Sequence, residues 1–255
     1  MSSTTAPSTL SIDAVAPAQL HARLGLSLPF ATTNPARALP ERTMQQDDAP
    51  ILAYLYAQHR PRRHLEFGTW QGEGTLLVLR HCDAAVWTLN LPDGERTGDG
   101  GWAYLSDFDP ADPVPGGGNQ RLTRGGRRLC QTDSGGFIGR AYREADLGHR
   151  VCQIYADSTR WDTAAYPPGF FDSVLIDGGH TAPIVTSDTH KALPLLRPGG
   201  LMLWHDFCPH ESGYAPGAST RGVRDAIADL LPTLRSQMRD LFWIQDTWIL
   251  AGVRA

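Results

Sequence analysis

The sequence predicts an α/β fold on a mostly parallel sheet, and three observations predict it. Short apolar runs of strand length alternate with helix-length stretches. A glycine-rich turn follows the first such run, in HLEFGTWQGEGT, and two later runs, FDSVLID and LMLWHD, both end on aspartate. Alternating strand and helix signals a parallel sheet, because parallel neighbours need a long crossover and that crossover is usually helical.

The elements follow in order. Residues 2–9 are all Ser, Thr, Ala or Pro, too poor in apolar surface to offset the entropy of ordering them, so a disordered tail is expected over 1–9. Residues 10–255 read as one domain, opening with an N-terminal helical segment over 10–62. Within it, Met44, Ile51, Leu52, Leu55 and Tyr56 have helical spacing, with Pro61 as a stop. That helix is expected to cover the sheet's first strand, His64 to Phe67. A helix from Thr75 to His81, a strand from Ala85 to Leu89 and a strand from Val151 to Tyr155 come next. Residues 92–136, rich in Gly, Asp, Pro and Arg, break the rhythm and read as an insertion. Trp102, Tyr104 and Phe108 within it would suit a substrate lid as well as a surface loop. The last third gives FDSVLID as a strand, a helix near Ile184 to Leu196, R-P-G-G as a turn, LMLWHD as a strand and a helix from Gly222 to Leu231. The closing DLFWIQDTWILAGV has two apolar runs around a polar break, which predicts an antiparallel hairpin at the sheet edge.

Composition narrows the partners. With 23 basic against 27 acidic side chains the formal charge is -4, so no broad cationic field is available for a phosphate backbone and nucleic acid is not expected. Cys82, Cys130, Cys152 and Cys208 form no C-x-x-C pair, which favours neither a zinc knuckle nor a disulfide framework and fits a reduced cytoplasm. The N-terminal stretch lacks the basic start and apolar core of a secretory signal, and no run approaches membrane-spanning length. A cytoplasmic protein acting on a small molecule is the expectation, and a homo-oligomer is compatible with it.

In HLEFGTWQGEGT an acid, Glu66, ends the strand, and Gly68 and Gly72 precede the helix. Glycine there lets a ligand approach bare backbone, and the helix N-terminus offers unpaired amides. The order is neither G-x-G-x-x-G nor a G-K-[ST] phosphate loop, so pyrophosphate is not the indicated ligand. Glu66, Gly68 and Gly72 resemble the E-x-G-x-x-x-G first motif of class I S-adenosylmethionine (SAM)-dependent methyltransferases. The resemblance implies a Rossmann-like, doubly wound sheet with SAM as cofactor, its methionine part on Gly68 and Gly72. At the strand end where that family places a ribose-binding acid this chain has Asn90, which gives up charge-assisted strength but can still donate and accept. Asp157 and Ser158, at the end of VCQIYADS, resemble the adenine-contacting position. They would also suit a helix N-cap.

The stretch FDSVLIDGGHTAPIVTSDTHKALPLLRPGGLMLWHDF is similar to a branch that includes macrocin-type and catechol-type O-methyltransferases and cephalosporin hydroxylase-like proteins. In a parallel sheet Asp177 and Asp206 emerge at the same carboxyl edge, where open α/β sheets bind ligands. The resemblance implies that they hold Mg2+ or another divalent metal, with His205 where a further oxygen ligand is often found; imidazole there suits manganese, iron or zinc better than magnesium. Strand-end acids also cap turns or pair with arginines. His180 stands where catechol-type enzymes carry a lysine base and is the first candidate to deprotonate a hydroxyl, with His205 second. O-methylation of a small-molecule hydroxyl is the leading expectation. Two alternatives stay open: a non-haem iron hydroxylase using His180, His205 and a carboxylate, and a non-catalytic SAM-binding protein.

Overall fold

The computed structural model describes residues 10–30, 44–91, 123–124, 127–128, 138–210 and 221–255. The expected tail over 1–9 and nearly all of the 92–136 insertion, with Trp102, Tyr104 and Phe108, lie outside the described residues.

The chain runs β1 (Asp13–Val15), α1 (Leu20–Leu24), α2 (Met44–His59), β2 (Arg63–Phe67), α3 (Glu73–His81) and β3 (Ala85–Asn90). It continues with β4 (Thr123–Arg124), β5 (Arg127–Arg128), α4 (Arg140–Glu144), β6 (Val151–Tyr155) and β7 (Phe171–Ile176). It closes with α5 (Ala182–Leu195), β8 (Leu196–Trp204), α6 (Arg221–Gln237), β9 (Met238–Ile244) and β10 (Leu250–Arg254). The large sheet has the order β1-β9-β10-β8-β7-β2-β3-β6. Strands β6, β3, β2, β7 and β8 pair in parallel, and β10 is antiparallel to both β8 and β9.

Alternation along the central strands divides the core in two. Val174 and Ile176 of β7 and Met202 and Trp204 of β8 face Val185 and Ala192 of α5 and Ile227 and Leu230 of α6. The intervening Leu175, Leu201 and Leu203 face Ile51, Leu52, Leu55 and Tyr56 of α2 and Val78 and Leu79 of α3. Successive strand side chains point to opposite faces, so a strand apolar at nearly every position must be covered on both. That is why β7 is buried along its whole length, and why the sheet is doubly wound as expected.

Three details differ from the sequence expectation. R-P-G-G is not a separate turn but lies inside β8, where Phe171 pairs with Leu196 and Ser173 with Leu201. Proline removes a ladder donor and Gly199 takes φ +73, so the extra residues bulge out of the pairing. The β9–β10 hairpin forms, but β10 lies between β8 and β9, and β1 adds a parallel strand beyond β9. β1 itself falls within the segment read as helical. Among the described residues no helix is long and apolar enough to cross a membrane.

Candidate active site

The parallel strands β2, β3, β6, β7 and β8 bring their carboxyl ends to one edge, and the expected site residues collect there. The turn after β2 is fixed first. Gly68 has φ +97, and a Cβ on it would overlap the carbonyl oxygen of Asp177 and lie 2.6 Å from Gly178 Cα. The β2 turn therefore crosses directly over the β7 turn, which only glycine permits. Gly72, at φ +86, would meet the Tyr142 ring at 2.8 Å. The amides of Gly68 and Thr69 donate to Leu89 O at 2.8 and 3.1 Å. Trp70, itself at φ 42, is held from both sides: its N–H donates to Asn90 Oδ1 at 2.8 Å and its carbonyl accepts from Gly139 N at 2.8 Å. The N-cap of α3 is Gly72, which has no side chain to cap the helix.

Glu66 sits beneath this turn, 1% exposed. It accepts from the hydroxyls of Thr75 and of Thr88, the latter at 2.6 Å. Burial pushes its carboxyl up to about 8 against those hydrogen bonds. Glu66 thus braces the turn from inside, and Asn90 holds its outer side. Asp157 turns its Oδ1 onto the amide and hydroxyl of Thr159, at 2.9 and 2.7 Å, an Asx turn with no helix after it.

At the ends of β7 and β8 the structure joins Asp177, His180, His205 and Asp206 in one network. His180 Nε2 lies 2.9 Å from Asp206 Oδ2. His205 Nδ1 lies 3.1 Å from Asp177 Oδ1 and 3.4 Å from Asp206 Oδ2. Its other nitrogen, Nε2, lies 2.9 Å from Asp48 Oδ2, an acid of α2 that is 1% exposed. Asp206 has φ 58, an uncommon conformation for a side-chain-bearing residue, which aims its carboxyl back between the two histidines.

The electrostatics follow from that geometry. Burial alone would lower His205, but the Asp177 charge and hydrogen bonds to Asp177, Asp206 and Asp48 outweigh it and hold the ring well above its ordinary value. Burial would raise Asp206, but hydrogen bonds from His180 and His205 hold it well below the usual carboxylate range. For His180 burial pulls down and Asp206 pulls up, and the balance is a raised value. Asp48 is raised, chiefly by burial.

Donor atoms of Asp177, His180 and Asp206 lie within 4.8 Å of one another, a grouping able to hold a metal ion. Two carboxylates and one imidazole suit Mn2+ or Fe2+ and accept Mg2+. His205, expected among the ligands, has both ring nitrogens directed at carboxylates instead. His205 Nδ1 stands beside Asp177 and Asp206 much as His180 Nε2 stands beside Asp206, but His205 is not part of that three-residue grouping.

Two acids of this edge escaped the sequence reading. Asp48 precedes Ile51, Leu52 and Leu55 by three, four and seven residues, so it lies on the buried face of α2. Asp188 follows Val185 by three residues and precedes Ala192 and Leu195 by four and seven on α5, and is 1% exposed. An acid on the apolar stripe of a helix was the available signal in both cases.

An open, doubly wound sheet with a glycine turn at its first crossover and an acid–histidine cluster at the neighbouring strand ends defines a class I SAM-dependent methyltransferase. Comparison with known proteins agrees: the model of a methyltransferase domain family matches residues 65–207, more than half of the 255, and the chain belongs to that family. No curated protein sequence matches it. Among solved structures it is similar to the O-methyltransferase TomG from Streptomyces achromogenes, involved in tomaymycin synthesis and solved with SAM. That likeness has 19% identity, covers 94% of this chain and 88% of TomG, and has a TM-score of 0.50. An O-methyltransferase family protein from Burkholderia thailandensis matches at 16% identity over 83% of this chain and 56% of its own, with a TM-score of 0.53. The cofactor-bound protein Rv0187 from MTB matches at 16% identity over 94% and 98%, with a TM-score of 0.50. At these identities the likeness speaks for the fold.

Proposed function

We propose that this enzyme transfers the methyl group of SAM to a hydroxyl oxygen of a small molecule, at the cluster of Asp177, His180 and Asp206. One observation carries the reading: the glycine turn crosses directly over Asp177, so a donor lying on Gly68 and Gly72 has its reactive end beside the acid–histidine cluster. Asn90, Asp157 and Ser158 stand at the ends of the two outer parallel strands, where the nucleoside end of the donor would extend. Glu66 supports the turn from below.

Methyl transfer is an in-line displacement at carbon, so the chain must orient the acceptor oxygen and take its proton. His180 is the group that would take it, at Nδ1, because Nε2 is engaged by Asp206, whose carboxylate would stabilise the resulting imidazolium. His205, donating to Asp177 and Asp206, would fix those carboxylates toward the acceptor. Asp177, Asp206 and His180 would also hold a divalent cation, which when bound supplies positive charge that lowers a hydroxyl's pKa. His180 then serves as a ligand rather than as the base.

Calorimetric titration with SAM, with and without Mn2+ or Mg2+, tests the reading, followed by a screen of hydroxyl acceptors with labelled SAM. Saturable SAM binding, and transfer to a hydroxyl that His180→Ala reduces at least a hundredfold, is the expected result. Absence of SAM binding under every condition would sink it. Transfer that persists in EDTA would assign His180 to the base role rather than to a cation.

A further inference from the structure

We infer that Asp48, from a helix outside the matched methyltransferase domain, is a positioning residue that orients His205 and through it the carboxylate of Asp177. Three carboxylates, Asp48, Asp177 and Asp206, surround one imidazole at 2.9, 3.1 and 3.4 Å. An ionised carboxylate only accepts hydrogen bonds, so each contact needs the ring as donor. The contact to Asp48 is the most deeply buried of the three, since its carboxyl is 1% exposed. It is also built from two sides, with the amide of Trp248, in the β9–β10 turn, 3.2 Å from Asp48 Oδ1 and 3.3 Å from Oδ2. With Nε2 held there, the ring is restrained and Nδ1 lies between Asp177 and Asp206.

The consequence for the site is directional. His205 holds Asp177 by Oδ1, at 3.1 Å, which restrains the orientation of the carboxylate that the candidate cation grouping uses. Asp177 is 30% exposed along its side chain whereas His205 is 12% exposed, so the network runs from interior to surface. Supporting residues behind a ligand carboxylate commonly govern affinity by tenfold to a hundredfold because they restrict its orientation. Asp48 lies before residues 65–207 in sequence, so a part of the chain beyond the shared domain adjusts the reaction centre.

The inference rests on the metal or acceptor role of Asp177 proposed above, and the test separates the two. Mn2+ and SAM affinities are measured by calorimetry on the full chain for the wild type, Asp48→Asn and Asp48→Ala, with thermal melting as a fold control. Asp48→Ala is expected to weaken Mn2+ binding at least tenfold while SAM affinity stays within twofold, because the hydrogen bonds of Asp48 run to His205 and Trp248 rather than to the glycine turn. Asp48→Asn, whose amide oxygen still accepts from Nε2–H, is expected to recover part of the loss. Equal Mn2+ affinities in all three proteins, or Mn2+ and SAM affinities that fall together, would overturn the inference. If the wild type binds SAM but no Mn2+, the metal reading fails and the crystal structure of Asp48→Ala decides: a His205 ring turned away from Asp177 supports the positioning role, and an unmoved ring overturns it.

Discussion

Glu66 and Asp188 are nearly inaccessible acids at the carboxyl edge of the sheet, and their surroundings treat them differently. Glu66 has two threonine hydroxyls, of Thr75 and Thr88, donating to Oε2. Among the described residues neither oxygen of Asp188 has a hydrogen bond of ordinary geometry. Burial pushes Asp188 up to about 7, against the pull of the neighbouring Ser158 hydroxyl. The folded state therefore favours the protonated acid, and the unfolded chain ionises near the ordinary 3.8. Stability from this group is complete below that ordinary value and is lost as pH rises toward 7. Between pH 5 and pH 8 the wild type should lose up to about 3 kcal/mol that Asp188→Asn does not lose. Urea unfolding of both proteins at the two pH values measures it, and parallel pH dependence would refute the assignment.

Among elements, the turn between β2 and α3 is held on several sides. It is packed on the β7 turn below, tied to β3 through Leu89 and Asn90, and tied to the start of α4 through Gly139. Gly68→Ala places a methyl group into the backbone of Asp177 and Gly178 at a φ that side-chain-bearing residues avoid. The strain alone costs about 1–3 kcal/mol, and the turn must lift to relieve the overlap. SAM affinity should fall more than tenfold by calorimetry, with the protein still folded by circular dichroism. Unchanged affinity would mean that the donor does not lie on this turn.

Across the whole molecule, the N-terminal segment is fastened to the sheet by Arg23, whose guanidinium forks onto Asp240 of β9 at 2.7–3.1 Å and reaches Asp13 of β1 at 2.9 Å. The Arg23 side chain is 37% exposed, so solvent and salt screen the pair strongly. Arg23→Ala should cost no more than about 1 kcal/mol in urea unfolding, and the cost should shrink in 0.5 M salt, an order-of-magnitude expectation for exposed pairs. A larger, salt-insensitive loss would show that β1 is essential to the sheet. The apolar faces of the two core clusters, rather than this ion pair, hold the layers together.

The sequence by itself determined the alternation of strands and helices, the glycine turn and the placing of Asp177, His180, His205 and Asp206 at neighbouring strand ends. These are properties of local period and of backbone freedom, and they are written in residues close together along the chain. Only the tertiary structure decided that β10 enters between β8 and β9, and that R-P-G-G bulges within a strand. It alone decided that Glu66 faces inward, and that His205 reaches Asp48, 157 residues away in sequence. Such pairings depend on which faces meet when helices pack on a sheet, and a hydrogen bond between distant residues leaves no periodic trace in the chain.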